Sequence, residues 1–486
     1  MDPLRFLTQA TFGPDPAGLT RLLQVGYPAW LADQIAMPPT LHRPALQDLG
    51  QAQPSDRQAI WWERVLTAPD QLRQRVAFAL SEILVVSDVA DALVGDVCGV
   101  AEYYDILVRG AFGTYRELLE HVTLSPIMGR YLSHLRNARP DPIANTRPDE
   151  NYAREIMQLF SVGLWELDQN GQRMLDNAGQ PIPTYHQPDI VALANVFTGW
   201  NYHGAFGWFD YNANYLPMEP WEAFHDQQAK LVLGEPFPAG QLTTPELVHA
   251  LDTITEHLNV GPFLGRQLIQ RLVTSNPSPA YVGRVAAVWA DDGAGVRGNL
   301  GAVVSAILLD PEARTGHLTN PDFGKIREPL LMQTALWRAF GATTPSGAYT
   351  FTNPDYVFAQ AALRARTVFN FFRPDYAPPG PITQAGLHAP EAQILDHSTA
   401  ITTVNRWYSV AFEQGSINID LTLLTAFATD INGLLDYLDA ALLMGSMSGS
   451  LRSILTSHLQ QISNPDLRAM DAIYLVAASP EFFVQR

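Results

Sequence analysis

The chain has one cysteine, Cys98, among 486 residues, so no disulfide closes within it, and a lone cysteine fits a small hydrophobe better than a nucleophile. Lysine is almost as scarce: Lys230 and Lys325 are the only two, and the rest of the 31 basic residues are arginine. Where nearly every other lysine is missing, these two are candidates for positions that need an ammonium, because arginine does not replace lysine at tight polar sites. Positive charge is short overall. A net charge of −18 argues against nucleic acid or an anionic membrane as partner, since both require clustered cations. No apolar run reaches the length that crosses a bilayer, about 18 residues, so no membrane span is expected. Met1 leads into DPLRFLTQATFG rather than a basic stretch and an apolar core, so no export signal is read there.

Chemical signatures are missing too. The sequence contains no HExxH, CxxC, GxSxG or Walker loop, and no GxGxxG after a strand, which sets aside the zincin, haem c, α/β-hydrolase, NTPase and dinucleotide-binding classes.

What is present is apolar periodicity of helical type along most of the chain, with 47% hydrophobic residues. The expectation is an all-α protein, one large multi-helix domain carrying a small β-hairpin and a long aromatic-rich loop. Within residues 1–486 it divides into N-terminal helices (1–140), a central motif helix with hairpin and aromatic loop (141–235), a helical stretch (236–345) and C-terminal helices (346–486). The segment 70–86 places Leu72, Val76, Leu80 and Ile83 on one face, with Arg73, Arg75 and Glu82 flanking it as surface or inter-helix pairs. Lys325 and Arg327 form a basic pair at the entrance to a helix running to Phe340.

The segment DENYAREIMQLFSVG, residues 149–163, divides its chemistry most cleanly. On a helix, Tyr152, Ala153, Ile156, Met157, Leu159, Phe160 and Gly163 share one half, and Glu150, Asn151, Arg154, Glu155, Gln158 and Ser161 the other. Two carboxylates in unlike surroundings can divide acid and base roles, one kept neutral by burial and one kept ionised by Arg154. Equally, Glu150–Arg154 and Asn151–Glu155 are i,i+4 pairs, and the face can be a self-satisfied network between helices.

Further along, Asn170-Gly171 marks the hairpin turn. The stretch 200–225 is a glycine- and proline-spaced loop whose rings, Trp200, Tyr202, Trp208, Tyr211 and Trp221 among them, either pack it onto the body or form a stacking platform for a sugar ring. Next come His225, Asp226 and Lys230, with Asp226 and Lys230 one turn apart if a helix has begun there. Taken with Glu155, the His225-Asp226 pair suits a divalent metal ion.

Several segments together resemble the bacterial family catalogued as domain of unknown function 1800: RFLTQATFGP, LRQRVAFALSEILVVS, DENYAREIMQLFSVGL, TYHQPDIVALANVFTGW, the His225-Asp226 to Lys230 segment, FGKIREP and SPEFFVQR. Many members carry histidine where this chain has Phe160. The resemblance implies a mature periplasmic or extracellular protein, often encoded beside an exported protein similar to sulfatases. The expectation that follows is an exported hydrolase or lyase acting on an envelope or extracellular polymer such as a glycan. In it Glu155 and Glu150 carry acid/base or metal duty, Arg154 sets their charge, Asn151 and Lys230 support them, and the aromatic loop holds the substrate. The rival is a non-catalytic module that binds a polymer or a partner protein through that loop.

Overall fold

A computed structural model describes residues 2–143, 145–351, 353–413 and 415–486. Its elements are helices of 3 to 16 residues joined by turns and loops, with three two-stranded antiparallel sheets of two or three residues per strand. The all-α expectation holds. Thirty-six prolines are compatible with so much helix because many occupy first turns, as in Pro54–Thr67, Pro126–Tyr131, Pro279–Ala290, Pro311–Thr319, Pro329–Ala339 and Pro465–Ala477. There the missing N–H is one the helix leaves unpaired anyway. Side-chain caps satisfy others: the Asp15 carboxylate accepts from Gly18 N at 2.8 Å, and Thr114 and Glu117 form a reciprocal capping box.

A single large core cluster draws on residues from Phe6 to Phe482. At its centre lies the helix Gln71–Ser81, every residue of which is buried. This corrects the one-faced reading of that segment, and of the two expectations for Arg73 and Arg75 it selects the inter-helix one, both being interior. Arg73 donates to the carbonyls of Ile35 at 3.0 Å and Val108 at 3.2 Å, and Arg75 to that of Arg271 at 2.6 Å. A buried guanidinium without such acceptors would cost several kcal/mol, so these bonds fix how the helices cross.

The central motif helix is shorter than its sequence pattern, running from Asn151 to Gln158. It closes in a wide turn, with Gly163 N donating to Met157 O at 2.9 Å and Gly163 at φ 74°. A Cβ at Gly163 would meet the Phe263 ring at 2.8 Å, so both backbone conformation and space demand glycine. Leu159, Phe160 and Gly163 therefore belong to the turn and not to a helix face. Beyond it the chain makes two successive reversals rather than one hairpin. Bridges join Trp165 to Pro183, Leu167 to Arg173 and Leu175 to Pro181, and the carboxylates of Asp168 and Asp176 each accept two backbone N–H groups at the turns.

Candidate functional site

Glu150 and Arg154 pair at 3.2 Å, and Gln187 donates to Glu150 at 2.8 Å. Asn151 is exposed, and among the described residues no side-chain hydrogen bond joins it to Glu155, so that half of the expected ladder is missing. Glu155 is 6% exposed. Burial raises its carboxyl above the usual range while Arg154 opposes the shift; Tyr131 and Tyr185 lie close enough to feel its charge, and its Oε2 has no hydrogen-bond partner.

The second expected group assembles differently. After Gly199 the chain must pass against His225, whose Cβ lies 2.9 Å from where a side chain at Gly199 would begin. This brings the Thr198 carbonyl to accept from His225 Nδ1 at 2.9 Å. No helix starts at Asp226. The chain turns into the strand Lys230–Val232, paired with Glu235–Phe237, and Lys230 folds back on itself. Its ammonium meets the carbonyls of Asp226 at 2.8 Å and Gln228 at 3.0 Å, both Glu246 oxygens at 2.8 and 3.1 Å, and the Asp226 carboxylate at 3.2 Å. His225 Nε2 faces Glu246 at 3.0 Å. With more acceptors than its three protons can serve, Lys230 has no donor left for a substrate. The ammonium also fills the position between Asp226 and Glu246 that a metal ion would take. Glu155 is not among the partners of this group, so the expected Glu155, His225 and Asp226 set is not brought together. Among the described residues no cluster of three or more His, Cys, Asp or Glu side chains is arranged to hold a metal ion.

The aromatic loop divides in two. Trp200, Tyr202 and Trp208 are buried, with Trp208 stacked on Phe224 at 3.8 Å and near Trp221 at 5.9 Å, and Arg136 lies over Tyr202. These rings fasten the loop to the body, so Trp200, Tyr202 and Trp208 offer no open face to a sugar. Tyr211, packed on Tyr202 at 5.0 Å, is 64% exposed, and Phe206 and Phe209 are almost fully exposed.

A constellation that sequence patterns did not single out as a site lies elsewhere. Glu82 ends the central buried helix, Arg271 sits in the last turn of Val260–Leu272, Lys325 opens the strand paired with Val484–Gln485, Glu328 immediately precedes Pro329–Ala339, and Glu391 lies in the short helix Pro390–Gln393. All five are buried. Lys325 Nζ is 2.9 Å from Glu391 and 3.5 Å from Glu328, and donates to Arg271 O at 2.9 Å. Gln360 bridges Glu328 at 2.8 Å and Glu82 at 3.2 Å, and Arg271 Nε is 3.2 Å from Glu82 Oε2.

The carboxyls are driven apart. Burial first, then the charge of Glu328, pushes Glu82 up to about 8 against the pull of Arg271. Burial works against Glu328 too, but Lys325, Arg75 and Arg271 outweigh it and hold Glu328 below the usual range. Unlike carboxyls side by side are how one protein keeps an acid and a base at the same pH.

Glu82 and Arg271 form part of the wall of a cleft of about 1000 Å³. Its rim is built by the double reversal (Trp165, Arg173), the turn after the motif helix (Gln158, Gly163), the helix Val260–Leu272 (Phe263, Arg266, Gln267, Gln270) and the segment 368–375, with His388. Of the motif helix's polar face, Gln158 reaches this cleft; Glu150, Asn151, Arg154 and Glu155 are not on its wall. The scarcity of lysine pointed at Lys325, and Arg75 and Glu82 stood out as a flank; what no local pattern showed is that segments so far apart in sequence converge.

No curated protein and no solved structure matches the chain. The match that exists is at family level, and it covers nearly everything described above. By that match, over residues 5–484, the chain belongs to the family described as "Protein of unknown function (DUF1800)".

Proposed function

We propose that the protein is an acid/base enzyme, a hydrolase or lyase acting on an envelope or extracellular polymer held in the 1000 Å³ cleft, with Glu82 as the proton donor. The observation that carries this reading is the juxtaposition of a carboxyl held neutral to about pH 8 with Arg271 on the wall of a ligand-sized cavity. Burial also keeps the His388 imidazole below its ordinary value, so a neutral ring is on hand in the same cleft to accept a proton. Lys325 and Gln360 act through Glu82 and Glu328 as positioning residues. Export from the cell belongs to this reading, since a polymer substrate of that kind lies outside.

The test is turnover of a polymer panel by the wild-type protein and by Glu82→Gln, with the fold of both checked by circular dichroism. Loss of turnover in a folded Glu82→Gln protein supports the assignment, and undiminished turnover removes Glu82 from the reaction. A second reading, binding without catalysis, is favoured by the exposed tip of the aromatic loop, Phe206 and Phe209. It predicts that Phe206→Ala weakens retention on a polymer while Glu82→Gln does not.

A further inference from the structure

The cleft inverts the charge of the protein around it. The chain holds 49 acidic residues against 31 basic ones, yet the cleft wall carries Arg173, Arg266, Arg271 and Arg373 against only Glu82 and Asp375. Arg271 is committed to Glu82, and Arg373 is 3.6 Å from Asp375. Among the described residues neither Arg173 nor Arg266 has a carboxylate within ion-pair distance. Arg266 is half-buried, and burial together with the neighbouring Arg173 lowers its proton affinity, with the charge of Asp375 too weak to offset them. The wall also leaves polar atoms without partners: Gln267 Nε2 and Gln270 Oε1, on side chains more than nine-tenths buried, and both amide atoms of Asn370. Unpaired buried donors and acceptors are costly, and a polar ligand is what would satisfy them.

We propose that the occupant of this cleft is an acidic glycan whose anionic groups, carboxylate or sulfate, pair with Arg173 and Arg266. The proposal rests on the polymer-acting reading above. A guanidinium presents two parallel N–H groups that match either anion, and Phe369, 46% exposed on the same wall, offers a ring for the apolar face of a sugar. A protein of charge −18 repels a polyanion at long range, but at physiological salt that field is screened beyond about 8 Å and the local arginines decide.

The experiment is affinity electrophoresis of the full chain through polygalacturonate, carrageenan and dextran, repeated with Glu82→Gln to stop turnover. The expected result is retardation by an acidic polymer and none by dextran, weakened about tenfold by Arg173→Gln with Arg266→Gln and partly restored when Arg266→Lys replaces the latter. Arg173 is exposed, so Arg173→Gln alone tests the idea without risk to the fold. Stronger retardation by polygalacturonate assigns a uronate, and by carrageenan a sulfate ester. Equal retardation by dextran, or an unchanged affinity in the double variant, overturns the inference. Glu82-dependent cleavage of a neutral polymer would overturn it and leave the enzyme reading standing. Arginine-dependent retention of acidic polymer without cleavage would do the reverse.

Discussion

The protein's two lysines each sit in a buried carboxylate network, and the two networks end differently. Around Lys230 the partners His225, Asp226 and Glu246 come from one short stretch of chain, the ammonium is saturated, and none of the four residues lines the large cleft. Around Lys325 the network gathers five segments distant in sequence, its own included, and runs through Arg271 to Glu82, which reaches the cleft. Three cations, Arg75, Arg271 and Lys325, meet three carboxyls, Glu82, Glu328 and Glu391, and with Glu82 protonated the balance is positive beneath the cleft. Polarity alone thus does not locate chemistry; a buried polar network becomes a candidate site where it opens on space that a ligand can fill.

The contrast is broken most severely by substitutions that keep shape and remove the titratable carboxyl. Glu82→Gln is expected to lower polymer turnover by about 10²–10⁴-fold, the usual worth of a general acid. Glu246→Gln, in the closed network, should leave turnover per folded molecule near the wild-type value. If both variants lose activity alike, the distinction fails.

Stability should treat the two networks equally. Lys230→Met and Lys325→Met each strand buried carboxylates, and each is expected to cost about 3–5 kcal/mol in urea unfolding. They part in one respect: Lys325 is among the charges that lower Glu82, so Lys325→Met should move the Glu82 titration upward and Lys230→Met should not.

A similar split runs through the aromatic loop. Trp208, buried against Phe224, should cost about 3 kcal/mol or more on Trp208→Ala, whereas Phe206, 98% exposed, should stay within about 0.5 kcal/mol on Phe206→Ala.

The pH dependence of stability gives a subtler check. The folded Glu82 carboxyl binds its proton up to about 8 against 4.5 for the free group, so its contribution is complete below 4.5 and is lost as pH rises through 8. The difference in melting temperature between wild type and Glu82→Gln should therefore shift against the wild type over that window.

The helical class was legible because helix periodicity is local, and so was the turn signal at Asn170-Gly171. The motif helix was legible as amphipathic but not in length, because its end depends on the Gly163 turn packing against Phe263. The complete burial of Arg73, Arg75 and Glu82 was only half legible: a flank of charges reads equally as surface or as inter-helix pairs until the helix Val260–Leu272 is known to lie against it. Asp226 and Lys230, four apart, suggested a helical turn, yet a strand satisfies the same pair by folding the side chain back. The cleft could not be read at all, being made by segments that only the tertiary fold assembles.

The most direct test is the ionisation of Glu82 itself, followed by infrared difference spectroscopy of the wild-type protein against Glu82→Gln. The account predicts a protonated carboxyl band that persists through neutral pH and disappears near 8, moving higher in Lys325→Met and unmoved in Lys230→Met. A Glu82 that is already ionised at pH 6 would contradict it.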